Sequence, residues 1–153
     1  MRMDRPARDI RETFTVSLVQ LARRWRWRLD SRLQDLGLTQ ARWAALLQIQ
    51  RREGVSQRQL AEFIGIEGPT LVHILNSLER QNMIERRPDA RDRRAKTVHL
   101  TDTARPLVGR IEEIAHGLRL ELTEGIDDEE LATCVRVFRK IDQRLTELAE
   151  ATR

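Results

Sequence analysis

One cysteine, Cys134, is all the chain has for thiol chemistry, so no intrachain disulfide can hold its fold together. Such economy fits a reducing compartment, and Cys134, between Thr133 and Val135, reads as a structural thiol of weak reactivity. Tyrosine is absent, and three Trp and three Phe are the only aromatic residues, so a core must be mainly aliphatic. Seven Gly and four Pro among 153 residues exclude a loop-rich chain and favour helix, as does the abundance of Leu, Ala, Glu, Arg and Gln. No apolar run approaches the roughly 18 residues of a membrane helix. The opening MRMDRPARDIRE also lacks the apolar stretch of a secretory signal. A cytoplasmic protein without membrane contact is expected. The three histidines, His73, His99 and His116, have no metal-ligand spacing and no neighbouring cysteine. Gly-rich phosphate loops and nucleophile motifs are missing too. Neither a metal, a cofactor nor an enzymatic activity is expected.

What the chain does have is charge, unevenly distributed. Residues 86–96 hold six cations (Arg86, Arg87, Arg91, Arg93, Arg94, Lys96) against Asp89 and Asp92, a local net of +4 that equals the net charge of the whole chain. Short β-type runs flank this segment, Met83–Arg87 and Thr97–Leu100, and nothing apolar larger than Ala90 or Ala95 lies between. Unpaired buried cations cost several kcal/mol each, so such a hairpin tip projects into water or onto an anionic partner. Residues 23–32 add five Arg against one Asp, whereas residues 107–150 carry eleven acids against six bases. The asymmetry implies a basic face for a polyanion and an acidic region with a different task.

Apolar periodicity gives the elements. Phe14, Leu18, Leu21, Ala22, Trp25, Leu29 and Leu33 predict a long first helix ending near Leu36-Gly37. Trp25 and Trp27, two apart, cannot share a face; one is expected in the core and the other at an interface. Thr39 can cap a second helix with Trp43, Leu46, Leu47 and Ile49 inward. Ser56 and Gln59 form a capping box for a short helix holding Leu60, Ala61 and Ile64 inward and ending at Gly65. Gly68-Pro69 opens a fourth helix with Leu71, Ile74 or Leu75, and Leu78 toward the core. After the basic hairpin, Thr101 is expected to cap a fifth helix. Asp127 with Glu130 caps a sixth, whose apolar positions are Leu131, Val135, Phe138, Ile141, Leu145 and Leu148.

The segment QRQLAEFIGIEGPTLVHILNSL (57–78) has the features of a helix-turn-helix. Ala61 is small enough for a tight helix crossing, and Gly65 tolerates a positive φ at the turn. A plain helical hairpin would look similar, but a charged hairpin directly after the second helix makes the DNA-binding unit the better reading. The fold class expected is mainly α with a small β-hairpin wing, a winged helix-turn-helix joined to a terminal-helix dimerisation region. The chain reads as one domain over residues 1–153, with a DNA-binding lobe at 37–100 and dimerisation helices at 8–36 and 101–150.

The helix-turn-helix, the wing residues Asp89, Arg91, Asp92, Arg93 and Arg94, and the Leu100-Thr101 exit resemble the MarR family of winged-helix regulators. GIEGPTLVHILNSLE, DRRAKTVHLTDTA and LTQARW are similar to patterns of its SlyA-like branch. The resemblance implies a sequence-specific transcriptional regulator, a repressor more than an activator, acting on double-stranded DNA as a homodimer. The recognition-helix side opposite Leu71, Leu75 and Leu78 carries Thr70, His73, Asn76, Ser77 and Arg80. Thr70 and His73 lie toward the end that enters the major groove in this architecture. His73 can donate to guanine N7 or O6, and Thr70 can touch a thymine methyl. Val72 is read either at the groove margin or in the core. Arg94 is the candidate minor-groove probe, attracted by the negative potential of a narrow A·T-rich groove, with Asp92 orienting it. Arg91 and Arg93 are placed at the backbone or groove edge, and Arg86, Arg87 and Lys96 at phosphates.

The last helix repeats apolar residues at spacings close to a coiled-coil seam, and Phe14, Leu18 and Leu21 add an N-terminal stripe. These surfaces exceed what one lobe can cover and are expected to meet a second subunit; an intramolecular bundle is the competing reading. Twofold symmetry then calls for a near-palindromic operator with half-sites about one helical turn apart. The resemblance further implies a small aromatic carboxylate or phenolic effector near Arg23, Thr39, Trp43 and Leu47. Against this stands Trp43 as ordinary core and Arg23 as ordinary surface. Two other functions fit the charge pattern: a nucleoid-associated architectural or anti-silencing protein of low sequence specificity, and an interaction module that no longer binds DNA.

Overall fold

A computed structural model of the chain describes residues 9–89 and 95–151. Helix α1 (Ile10–Leu33) runs into a single 3-10 turn at Gln34–Leu36, and α2 (Gln40–Arg51) follows. Strand β1 (Val55–Ser56), α3 (Gln57–Ile64) and α4 (Gly68–Arg80) precede the wing strands β2 (Ile84–Pro88) and β3 (Lys96–Leu100). Helices α5 (Arg105–Leu122) and α6 (Asp128–Ala151) complete the chain. The order of helices and hairpin agrees with the periodicity. The chain divides into two compact units between Gly117 and Leu118, within α5.

Local chemistry accounts for most element boundaries in the first unit. Gly37 takes φ +65° and donates its N–H to the Gln34 carbonyl, stopping α1 and its 3-10 extension. Thr39 stands at the N-cap of α2 in extended conformation, but its side chain makes no capping bond; its carbonyl takes the Arg42 and Trp43 N–H groups instead. The Ser56 box forms as expected. The Gln59 N–H donates to Ser56 Oγ at 3.3 Å, and the Ser56 N–H donates to Gln59 Oε1 at 3.2 Å. Replacing Ser56 by Ala is expected to lower unfolding free energy by about 1 kcal/mol, measurable as a lower urea midpoint at unchanged slope.

The core of this unit is aliphatic around one tryptophan. Helix α2 buries Trp43, Ala45, Leu46, Leu47 and Ile49, and α4 buries Leu71, both Ile74 and Leu75, and Leu78. Ile64 is only half-buried. Among the described residues every fully buried side chain is apolar. In α1 neither tryptophan reaches the core: Trp25 is half-buried and Trp27, on another face of the helix, is 66% exposed. The strands form an antiparallel sheet in the order β1-β3-β2, with Val55 opposite Val98 and Ile84 opposite Leu100. These four side chains are the sheet's buried face. The two-residue β1 was not expected, because a run that short has no period to detect.

Thr101 departs from its expected role. It does not begin α5, which starts at Arg105. Its hydroxyl donates to the Asn82 carbonyl at 2.6 Å and its N–H to the Met83 carbonyl at 3.1 Å. Asn82 is the only described non-glycine residue at positive φ, +54°. It sits in the left-handed position after α4, with the Met83 N–H reaching back to the Leu78 carbonyl, an arrangement that Asn tolerates better than branched residues. Thr101 thus ties the exit of β3 to the turn that sends the chain from α4 into the wing.

In the second unit, the Asp127 N–H donates to Glu130 Oε2 at 3.2 Å and the Glu129 N–H to Asp127 Oδ1 at 3.4 Å, capping α6 as expected. Asp128, Glu129 and Glu130 fill the first turn of α6, where negative charge suits the helix dipole. No residue of α6 is buried. Leu131 and Ile141 are half-buried, while Val135, Phe138, Leu145 and Leu148 are exposed. On α1, Phe14 and Leu18 are half-buried and Leu21 is exposed.

Candidate nucleic-acid interface

The turn between α3 and α4 is set by two residues. Ala61 packs in the crossing at 7% exposure, and its carbonyl accepts the N–H groups of Gly65 and Ile66 at 2.9 and 3.1 Å. Gly65 sits at φ +74°, which closes α3 in a Schellman turn and frees the chain to re-enter a helix at Gly68-Pro69. The result is a helix-turn-helix whose second member buries one face completely. Its other face must therefore look outward, because Leu71, Ile74, Leu75 and Leu78 occupy the inward positions of a 3.6-residue repeat.

Thr70, His73, Asn76 and Arg80 are all exposed on that outward face, with Ser77 half-buried beside them. His73, Asn76, Glu79 and Arg80 line an open concavity of about 390 Å³. Val72, read two ways from sequence, is 43% exposed and so lies at the margin of this face. An Arg42 guanidinium N–H donates to Gln81 Oε1, pinning the C-terminal end of α4 to α2. The outward face thus combines donors, an acidic group and a cation on a helix held at both ends.

The wing strands continue the surface. Their ladder extends to Asp89, whose N–H donates to the Ala95 carbonyl at 3.1 Å. Arg91, Asp92, Arg93 and Arg94 lie outside the described residues. Lys96 is exposed at the start of β3. Arg87 is also exposed, with its guanidinium bonded to Glu85.

Arg86 does not stand where a phosphate contact would put it. Its side chain is only 14% exposed and bridges to α4, donating to Asn76 Oδ1 at 2.8 Å and Glu79 Oε2 at 3.2 Å. Alternation along β2 explains the placement. Arg86 shares a face with buried Ile84, and that face meets α4. The charge count made Arg86 one of six similar cations; the alternation Ile84, Arg86 was the signal that could have separated it. A second contact also went unforeseen. The Arg52 guanidinium lies 3.9 Å from the Phe63 ring centroid, over an aromatic that is still 44% exposed.

The other candidate residues lie in different environments. Trp43 is buried, and its indole N–H donates to Asp30 Oδ1 on α1 at 3.1 Å. Leu47 is also buried, while Arg23 and Thr39 are exposed. Cys134 is exposed on α6. Among the described residues no group of three His, Cys, Asp or Glu side chains is placed to hold a metal ion. No described helix is long and apolar enough to cross a membrane.

Comparison with known proteins agrees with this geometry. A model of the MarR family matches residues 36–95, the segment that holds the helix-turn-helix and the wing strand β2 and stops just before β3. The crystal structure of the transcriptional regulator PA3341 is 44% identical, covers 88% of this chain and 98% of its own, and superposes with a TM-score of 0.83. The transcriptional regulator SlyA is 18% identical over 92% of this chain and 99% of its own, with a TM-score of 0.77. MepR of S. aureus, solved as a DNA complex, is 23% identical over 86% of this chain and 97% of its own, with a TM-score of 0.71. At such identities the last two establish the shared fold alone. With a helix-turn-helix, an antiparallel wing sheet and a relative of 44% identity over nearly its full length, the chain belongs to the MarR family of winged-helix, DNA-binding transcriptional regulators, which are not enzymes.

Proposed function

We propose that the protein is a homodimeric repressor of the SlyA-like kind that binds near-palindromic duplex DNA and responds to a small aromatic anion. The observation that carries this reading is the outward face of α4. Thr70, His73, Asn76 and Arg80 stand together in solvent on a helix whose opposite face is fully buried, as a reading helix in a major groove requires. Ser77 stands at its edge. MepR, with the same fold, was solved on DNA, which supports the same use here. The wing then follows the flanking minor groove, with Arg94 as probe, Asp92 orienting it, and Arg91, Arg93 and Lys96 on the backbone. Repression follows from occupancy, since a dimer seated on an operator excludes other proteins from it.

The exposed apolar row of α6 supplies one surface for the second subunit, and Phe14 and Leu18 of α1 supply another. In the proposed effector site, Arg23 pairs with the carboxylate, Thr39 borders it, and Trp43 and Leu47 supply apolar contact. Because Asp30 already takes the Trp43 indole N–H, that ring has no donor left for an effector.

Titrating the protein with its best-selected duplex and with random duplex at matched salt tests the central reading. A ratio of about a thousand or more is expected for a specific regulator. A ratio near unity would make it an architectural protein instead, and an absence of binding to either duplex would leave an interaction module.

A further inference from the structure

The contact between Arg86 and Asn76 joins two parts of the DNA-binding unit that the chain separates by a turn, and it constrains what Asn76 can read. A guanidinium has only donors, so the carboxamide must turn its oxygen toward Arg86 Nη2, 2.8 Å away. The opposite orientation would set donor against donor. The two amide N–H groups are then left for the outward face, in the concavity shared with His73 and Arg80. The other arm of the same guanidinium meets Glu79 at 3.2 Å, a carboxylate that also lines that concavity and would otherwise repel phosphates. At 14% exposure, the Arg86 side chain is enclosed enough to hold both partners.

We propose that Arg86 is a specificity-positioning residue: by engaging the Asn76 oxygen it makes Asn76 a donor-only reader that selects guanine over adenine. An asparagine free to present both oxygen and nitrogen pairs with adenine N6 and N7, whereas a pair of donors suits the adjacent acceptors N7 and O6 of guanine. Arg86 has a second effect, neutralising Glu79, which supports affinity for any sequence. The inference rests on the proposed use of α4 as a reading helix.

Selection from a pool of randomised duplexes, followed by titration of single-base variants of the selected site, separates these effects. Wild type is expected to enrich guanine at one position per half-site, and Asn76→Ala to remove that preference. Arg86→Ala should reduce discrimination between guanine and adenine at that position by about five- to tenfold, since a single edge contact is at stake. It should also weaken binding to all sequences. Arg86→Ala with Glu79→Gln should recover overall affinity but not the base preference. In the Asn76→Ala background Arg86→Ala should change no base preference further. Arg86→Lys, which keeps the charge at Glu79 but cannot bridge both partners as a fork, should relax the preference at little loss of affinity. It decides the matter if Arg86→Ala does not fold. Unchanged guanine preference in both Arg86 variants would overturn the proposal, as would a shift in preference that persists without Asn76. A wild-type protein that enriches no sequence would instead overturn the reading helix, and this inference with it.

Discussion

Replacing Phe138 and Leu145 together by glutamate is expected to yield a folded monomer that binds its operator about 10²–10⁴-fold more weakly. Both side chains are exposed in the single chain, at 44% and 61%, so the carboxylates meet water and not a core when the protomer is alone. In a symmetric seam each would face apolar side chains or its own copy, and burying an unpaired charge there costs several kcal/mol. Affinity falls because a dimer that has docked one reading helix holds the second at a high local concentration, which a monomer lacks. Sedimentation gives the mass and fluorescence anisotropy the affinity. A dimer of unchanged stability would move the seam away from α6. A monomer with wild-type affinity would remove twofold recognition altogether.

The second large effect is expected at Leu75. Truncation to alanine should lower the unfolding free energy by about 2–5 kcal/mol, a large part of the 5–15 kcal/mol typical of a domain. Leu75 is completely buried on α4. Helix α4 packs against α3, β2 and α2, so a cavity cannot collapse without moving the reading helix. Operator affinity should therefore drop along with stability. Leu75→Met, nearly equal in volume, should cost less than about 1.5 kcal/mol and keep binding. Urea unfolding followed by circular dichroism measures both. A loss below about 1 kcal/mol for the alanine variant would mean that this part of the core adapts freely, contrary to the packing argument.

Much of the DNA-binding unit is legible from contiguous residues. The capping box at Ser56, the turn at Gly65, the Pro69 start of α4 and the Asp127 cap of α6 each depend on chemistry within a few positions. The net charge of the wing segment is a plain count. Readings failed where the outcome depended on distant residues. Thr101 looks like a helix cap by its neighbours, yet its hydroxyl goes to Asn82, nineteen positions earlier. Thr39 occupies the cap position but makes no side-chain bond. Both Ile74 and Leu75 are buried because α4 is covered on a wider arc than one stripe. Arg86 seemed one more cation for the duplex until the register of β2 turned it toward α4.

Most helix ends, the apolar stripe of each helix and the one short segment that carries the net positive charge can be read from the chain alone. These are properties of neighbouring residues, fixed by backbone hydrogen bonding and by the helical period. Long-range packing alone turns Arg86 inward while Arg87 and Lys96 stay exposed, pairs β1 with Val98 and Thr97, and gives the Asn76 oxygen to Arg86. Those outcomes depend on which strand lies beside which helix, and no local pattern records that, because the partners meet only after the chain has turned back on itself.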